Sequence, residues 1–168
     1  MLDEVDAAAQ DNDAQRVQRA FEDMKSRYPG TAQAGQAALT AAKVLVDAKN
    51  VDGAKAALEW VSKDAKYDGQ KLLGRLRLAS LLIEQKAYAD ALKQLEGNVP
   101  PEFAAAFADR KGDALALNGD AKSAVAAYQE AYAKLDSRSS YRRVIEAKLN
   151  ALGSKVQVAA AQTTGSNQ

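Results

Sequence analysis

The chain has 168 residues, enough for one domain with a real core, and is rich in Ala, Leu, Lys, Glu and Gln with only three Pro, a composition that favours helix. Its 23 basic and 22 acidic residues leave a net charge of +1, without the positive field that nucleic-acid binding needs. There is no Cys and no His, which removes the usual zinc and iron–sulfur sites, Cys or His nucleophiles and the Ser-His-Asp arrangement.

The N-terminus, MLDEVDAAAQ, is acidic and has no signal-peptide character. Met1 followed at once by a half-formed helical pattern reads as the edge of a longer chain. No apolar run is long enough to span a bilayer. Residues 3–11 read as a short helix with Asp3 as a cap, and residues 13–28 as a clearer one, with Val17, Ala20, Phe21, Met24 and Tyr28 on one face before Pro29-Gly30. Residues 2–29 thus read as a degenerate first repeat with a shortened first helix.

Three patterns then superpose. Ala42, Leu45, Ala54 and Leu58 stand at intervals of 3, 9 and 4; Ala79, Leu82, Ala91 and Leu95 repeat those intervals, and so do Gly112, Leu115, Ala124 and Tyr128. Each copy has a small residue where two helices cross and a large one that fills the groove beside it. The copies lie 37 (from 42 to 79) and 33 (from 79 to 112) residues apart. A period of about 34 residues with this content is the signature of stacked helix-turn-helix units. The units run over 32–65, 69–96 and 102–135, turning at Lys49–Gly53, Gln85–Ala89 and Asn118-Gly119-Asp120, with the strongest internal break at Gly97–Pro101. Residues 138–152 form a last amphipathic helix that caps the stack, with Tyr141, Val144, Ile145, Leu149 and Leu152 on its apolar stripe and Arg138, Arg142, Arg143 and Lys148 on its polar side. The repeat domain therefore spans 1–152, and the small, polar stretch 153–168 reads as a disordered tail.

The expected fold is all-α: a right-handed helix-turn-helix solenoid closed by a C-terminal capping helix. No catalytic, cofactor or metal motif survives scrutiny. Gly69–Gly74 lacks the Lys-Ser/Thr pair and the preceding strand of a phosphate loop, and Asp11-Asn12-Asp13 lacks the Gly and Glu of a calcium loop. The first helices of such pairs line a concave face. Beside the crossing residues, that face is expected to present Thr40, Lys43 and Asp47, then Arg77, Ser80 and Glu84, then Asp109, Arg110 and Asp113. Lys43, Arg77, Ser80, Glu84, Asp109, Arg110 and Asp113 are the partner-binding candidates. The acids among them disfavour a clamp for an acidic C-terminus. As an ordinary solvated face, the same residues would form i,i+4 neighbours such as Lys43/Asp47 and Asp109/Asp113. Tyr128 is expected in the core. Trp60, partly off its stripe, is expected between repeats, with an exposed partner anchor as the alternative.

RLRLASLLIEQKAYADALKQL (75–95) and ADRKGDALALNGDAKSAVAAY (108–128) resemble the YfgM-like family of ancillary Sec translocon subunits, over about residues 13–152. Leu76-Arg77-Leu78-Ala79, Asp109-Arg110 with Gly112-Asp113-Ala114-Leu115, Gly119-Asp120 and Asn150-Ala151-Leu152 carry the resemblance; generic tetratricopeptide repeats share the Ala and Gly positions but not this arrangement. The resemblance implies a tetratricopeptide-repeat-like periplasmic domain behind a single transmembrane helix in the bacterial inner membrane, that helix preceding this chain. It implies association with a SecYEG-type channel and with a membrane-anchored periplasmic chaperone of the peptidyl-prolyl isomerase type, in protein export. It names no catalytic residue, and the residues themselves offer no nucleophile, metal site or cofactor loop, nor the charge for a nucleic-acid partner. Two other classes stay open: a repeat scaffold for another cell-envelope complex, and an enzyme built only from carboxylates, lysines and tyrosines.

Overall fold

The computed structural model describes residues 1–156, and over these the chain is helical with no strand. The elements are α1 (Leu2–Gln10), α2 (Ala14–Arg27), α3 (Ala32–Asp47), α4 (Val51–Asp64), α5 (Asp68–Glu84), α6 (Tyr88–Gln94), α7 (Pro101–Leu117), α8 (Ala121–Lys134) and α9 (Arg142–Ala151). Successive helices pack as antiparallel pairs, and each pair leans on the next.

One turn is used five times. Asn12, Lys49, Lys86, Gly119 and Gly153 all have positive φ (53°, 61°, 61°, 89° and 72°). The residue after each sends its N–H back to the helix it has left: Asp13 to Ala8 O, Asn50 to Leu45 O, Ala87 to Leu82 O, Asp120 to Leu115 O and Ser154 to Leu149 O, at 2.8–3.0 Å. This left-handed C-terminal closure satisfies carbonyls that the helix end would otherwise leave bare. The five turns stand 37, 37, 33 and 34 residues apart (from 12 to 49, 86, 119 and 153). At three of them an acid or amide then caps the following helix: Asp13 accepts from Arg16 N, Asn50 from Gly53 N and Asp120 from Ser123 N.

The repeat therefore reaches further in both directions than the three superposed patterns. Val5, Ala8, Val17 and Phe21 lie 37 residues before Ala42, Leu45, Ala54 and Leu58, and all are buried. The first unit has a shorter first helix, nine residues against 16 and 17 in α3 and α5. At the other end, α9 stands where a fifth first helix would, buries Ile145 and Leu149, and finishes in the same turn at Gly153. Three of its expected assignments are corrected. Tyr141 and Val144, read as part of the apolar stripe, are exposed, whereas Lys148, read on the polar side, turns inward because two carboxylates of α7 await it. After Gly153, Val156 packs on the cluster under α8 and α9, and Gln129 Nε2 donates to Lys155 O. The rest of the expected disordered tail, 157–168, lies outside the described residues.

The third unit is irregular. Its second helix, α6, has seven residues where α2, α4 and α8 have 14, and its N-cap, Ala87, offers no side-chain acceptor. Arg75 fills part of the gap: it donates to the carbonyls of Gln94 and Glu96 and stacks on the Phe107 ring. Trp60 meets Phe21 edge to face at 5.7 Å, between the first and second units, and is half-buried. Tyr128 is buried.

A lysine in a left-handed turn costs about 1–2 kcal/mol, against about 0.5–1 kcal/mol of extra unfolded-state entropy for glycine. Lys86→Gly, which copies Gly119 of the next turn, is therefore expected to stabilise by about 0.5–1 kcal/mol. A thermal or urea midpoint unchanged or lowered would contradict the turn geometry.

Candidate protein-binding groove

The candidate residues separate into two groups. Lys43 and Asp47 on α3 and Arg77, Ser80 and Glu84 on α5 line one pocket of about 240 Å³, floored by Ala42, Val46, Leu58 and Leu81. A second pocket of about 340 Å³ continues the groove toward α1, adding Ala9, Asn12, Gln36, Leu39, Thr40 and Leu73, and shares Lys43, Asp47 and Arg77. The first helices α1, α3 and α5 thus form one open trough with an apolar floor and a polar rim.

Lys43, Asp47, Arg77 and Glu84 are exposed. Arg77 Nη1 donates to Leu39 O at 3.1 Å, which lays its guanidinium from α5 toward α3 and leaves its other N–H groups for the groove. Ser80 Oγ bonds back to Leu76 O at 3.0 Å. Lys43, Asp47 and Glu84 have no ion pair and no side-chain hydrogen bond among the described residues. In particular, the anticipated Lys43/Asp47 pair does not form.

Asp109, Arg110 and Asp113 of α7 occupy the next places in the same rows, but the α9 end of the chain covers the two acids. Asp109, expected to look into the groove, is 3% exposed. Its Oδ1 accepts from Lys148 Nζ at 2.6 Å and its Oδ2 from the Tyr141 hydroxyl at 2.7 Å. Asp113 Oδ1 accepts from Lys148 Nζ at 2.7 Å and from the Tyr128 hydroxyl at 2.8 Å, and its Oδ2 from Arg110 Nη1 at 3.0 Å. One lysine therefore bridges two acids that would otherwise repel each other. Burial lowers the Lys148 pKa, but its hydrogen bonds to Asp109 and Asp113 outweigh that and hold it above the ordinary lysine value. Burial and the bond to Asp113 push the Tyr128 hydroxyl upward; burial and the bond to Asp109 do the same for Tyr141. This cluster docks α9; it shuts Asp109 off from solvent, while Arg110 stays partly exposed.

Sequence reasoning missed the pocket floor of Val46, Leu58 and Leu81. Leu58 was read as filling the groove between paired helices, and only the gap between α3 and α5 opens these three side chains to the trough. Among the described residues no group of three or more acids is placed to hold a metal ion, and no helix is long and apolar enough to cross a membrane.

A stack of helix pairs with one repeated turn and an open polar trough defines a protein-interaction repeat domain, and the chain matches the family model for a tetratricopeptide repeat-like domain over residues 1–154, to which it belongs. Within it the chain falls in the YfgM-like family, as two curated relatives indicate. An ancillary SecYEG translocon subunit of Neisseria gonorrhoeae (strain ATCC 700825 / FA 1090) is 33% identical over 129 residues, 77% of this chain and 62% of that protein. A protein of the same name from Escherichia coli (strain K12) is 32% identical over 116 residues, 69% of this chain and 56% of that protein. The matched regions thus span less than two thirds of those relatives' length. No solved structure is a significant match.

Proposed function

We propose that this chain is a non-catalytic protein-interaction domain of an ancillary Sec translocon subunit. It associates with a SecYEG-type channel and links it to periplasmic chaperones during protein export. The chaperone partner is of the membrane-anchored peptidyl-prolyl isomerase type, and the domain faces the periplasm at the bacterial inner membrane. The relatives' names and the repeat-domain match support the translocon association; the chaperone link and the orientation rest on the family resemblance. The observation that carries the reading is the trough itself. Lys43, Asp47 and Glu84 stand unpaired around an apolar floor, which is a surface prepared for another chain and not for chemistry. Lys43, Arg77, Ser80 and Glu84 are the partner-facing residues. Asp109, Arg110 and Asp113 serve the same face indirectly, by holding α9.

The test is photo-crosslinking in the native membranes, with a reactive residue at position 77 and a control at Arg138, whose side chain is exposed before α9. Position 77 is expected to capture channel subunits or a periplasmic chaperone, and position 138 is not. Capture only of envelope proteins unrelated to export, with the variant folded and expressed, would replace the translocon reading with that of a different scaffold.

A further inference from the structure

We propose that the trough between α3 and α5 takes a short segment of a partner polypeptide in which one bulky apolar side chain is flanked by a basic side chain on one side and an acidic one on the other. This rests on the reading of the trough as the protein-binding site and adds the chemistry of what binds there.

The charges are ordered. Asp47 and Glu84 are the last residues of α3 and α5, toward the turns. The helix macrodipole disfavours a carboxylate at a C-terminus, and neither acid has a partner within the described chain. Both units therefore carry the same unfavourable, uncompensated choice at the same place, and such exceptions mark positions kept for an outside ligand. The two cations stand deeper. Lys43 lies one turn and Arg77 two turns back along their helices from those acids. The rim is thus acidic toward the turns and basic toward the middle of the trough, with Val46, Leu58 and Leu81 on the floor between. At about 240 Å³ the pocket between α3 and α5 has room for a single large side chain, and the trough that continues toward α1 leaves space for the residues flanking it.

The same face, where the chain covers it itself, displays matching chemistry. Asp113 stands one place after the crossing Gly112, as Lys43 follows Ala42 and Ser80 follows Ala79. What α9 sets against Asp113 is a lysine amid buried aliphatic residues, Ile145 and Leu149. Because the open rim has two charges of each sign, it favours neither an acidic nor a basic ligand as a whole. It selects for the order of charges around the apolar anchor.

Three synthetic heptapeptides with a central Phe test this, one flanked by Lys and Glu, one by Lys on both sides and one by Glu on both sides, followed by amide chemical shifts of the labelled protein. The mixed peptide is expected to bind at least fivefold more tightly than either like-charged one, with shifts centred on α3 and α5, and to lose binding when its Phe becomes Ser. The charge reversal Lys43→Glu with Arg77→Glu is expected to move the preference to the Lys-flanked peptide. Asp47→Lys with Glu84→Lys is expected to move it to the Glu-flanked one. All four side chains are exposed, so helicity and thermal midpoint serve as controls for folding. Equal binding of the three peptides, shifts away from the trough, or reversals that leave the preference unchanged would overturn the proposal. Peptides that fail while position 77 still crosslinks to the export machinery remove the ligand chemistry and leave the function. Peptides that discriminate while the crosslinks fail remove the translocon partner and leave the chemistry.

Discussion

Lys148→Met is expected to lower stability by about 3–5 kcal/mol, a large fraction of what a domain of this size has. The substitution keeps the aliphatic stem and removes only the ammonium that Asp109 and Asp113 share. Asp109 is almost fully buried and has no other cation bonded to it, so its charge would be left uncompensated in a poorly solvated place. A surface ion pair such as Arg16 with Glu4 and Asp11 sets the contrast, being exposed and worth little. Urea unfolding with an unchanged slope would give the number. Adding Asp109→Asn to Lys148→Met is expected to recover part of the loss, since a neutral amide still accepts from Tyr141 and needs no counter-charge; the two changes should be non-additive by about 0.5–3 kcal/mol. A loss below about 1 kcal/mol would place the pair with surface bridges.

The same cluster fixes the sign of the alkaline response. Lys148, Tyr128 and Tyr141 all have folded pKa values above their ordinary ones. Their contribution is therefore complete below the unfolded values, about 10 for Tyr and 10.4 for Lys, and is lost as pH rises through the folded values. The urea midpoint should hold steady from pH 7 to about 9.5 and fall above about 10, less steeply in Lys148→Met.

What the sequence made legible follows from how each feature is encoded. The Ala42/Leu45/Ala54/Leu58 pattern and its two copies carried the stack, because helix crossings demand a small residue at one fixed place. The first unit was legible only as a degenerate repeat, and its superposition on the others was obscured because Val5 and Val17 stand where the other copies have Ala or Gly, and because its first helix is short. Lys49 and Lys86 gave no sign of left-handed backbone, since lysine is not a turn former; only Asn12, Gly119 and Gly153 are of the expected type. Lys43, Arg77, Ser80 and Glu84, which periodicity assigns to one face, line one pocket. For Asp109 it found the row and missed the cover: the helix that buries it supplies Lys148 from 39 residues away, and no local pattern reports a contact at that separation.

Gly112→Ala is the second large effect, expected to cost about 2 kcal/mol although alanine is the better helix former by about 1 kcal/mol. A Cβ at position 112 would lie 2.4 Å from Cε1 and 2.5 Å from Cδ1 of Tyr128, so the ring or one of the two helices must move. The ring has little freedom. It is buried, its hydroxyl is bonded to Asp113, and the Lys148 ammonium sits 5.4 Å from its centroid. Pushing it outward therefore loosens the anchor of α9 as well as the α7–α8 crossing. Two further variants separate these contributions. Tyr128→Phe removes the hydroxyl and keeps the ring, so Gly112→Ala should remain costly in that background. Tyr128→Leu removes the ring atoms that the new methyl would strike, and there Gly112→Ala should become neutral or stabilising, as helix propensity alone dictates. A double-mutant cycle read by thermal or urea unfolding distinguishes the two. If Gly112→Ala stabilised the native background too, the close α7–α8 approach would not be what the small residue at this position provides. The shared logic of Ala42, Ala79 and Gly112 would then fail with it.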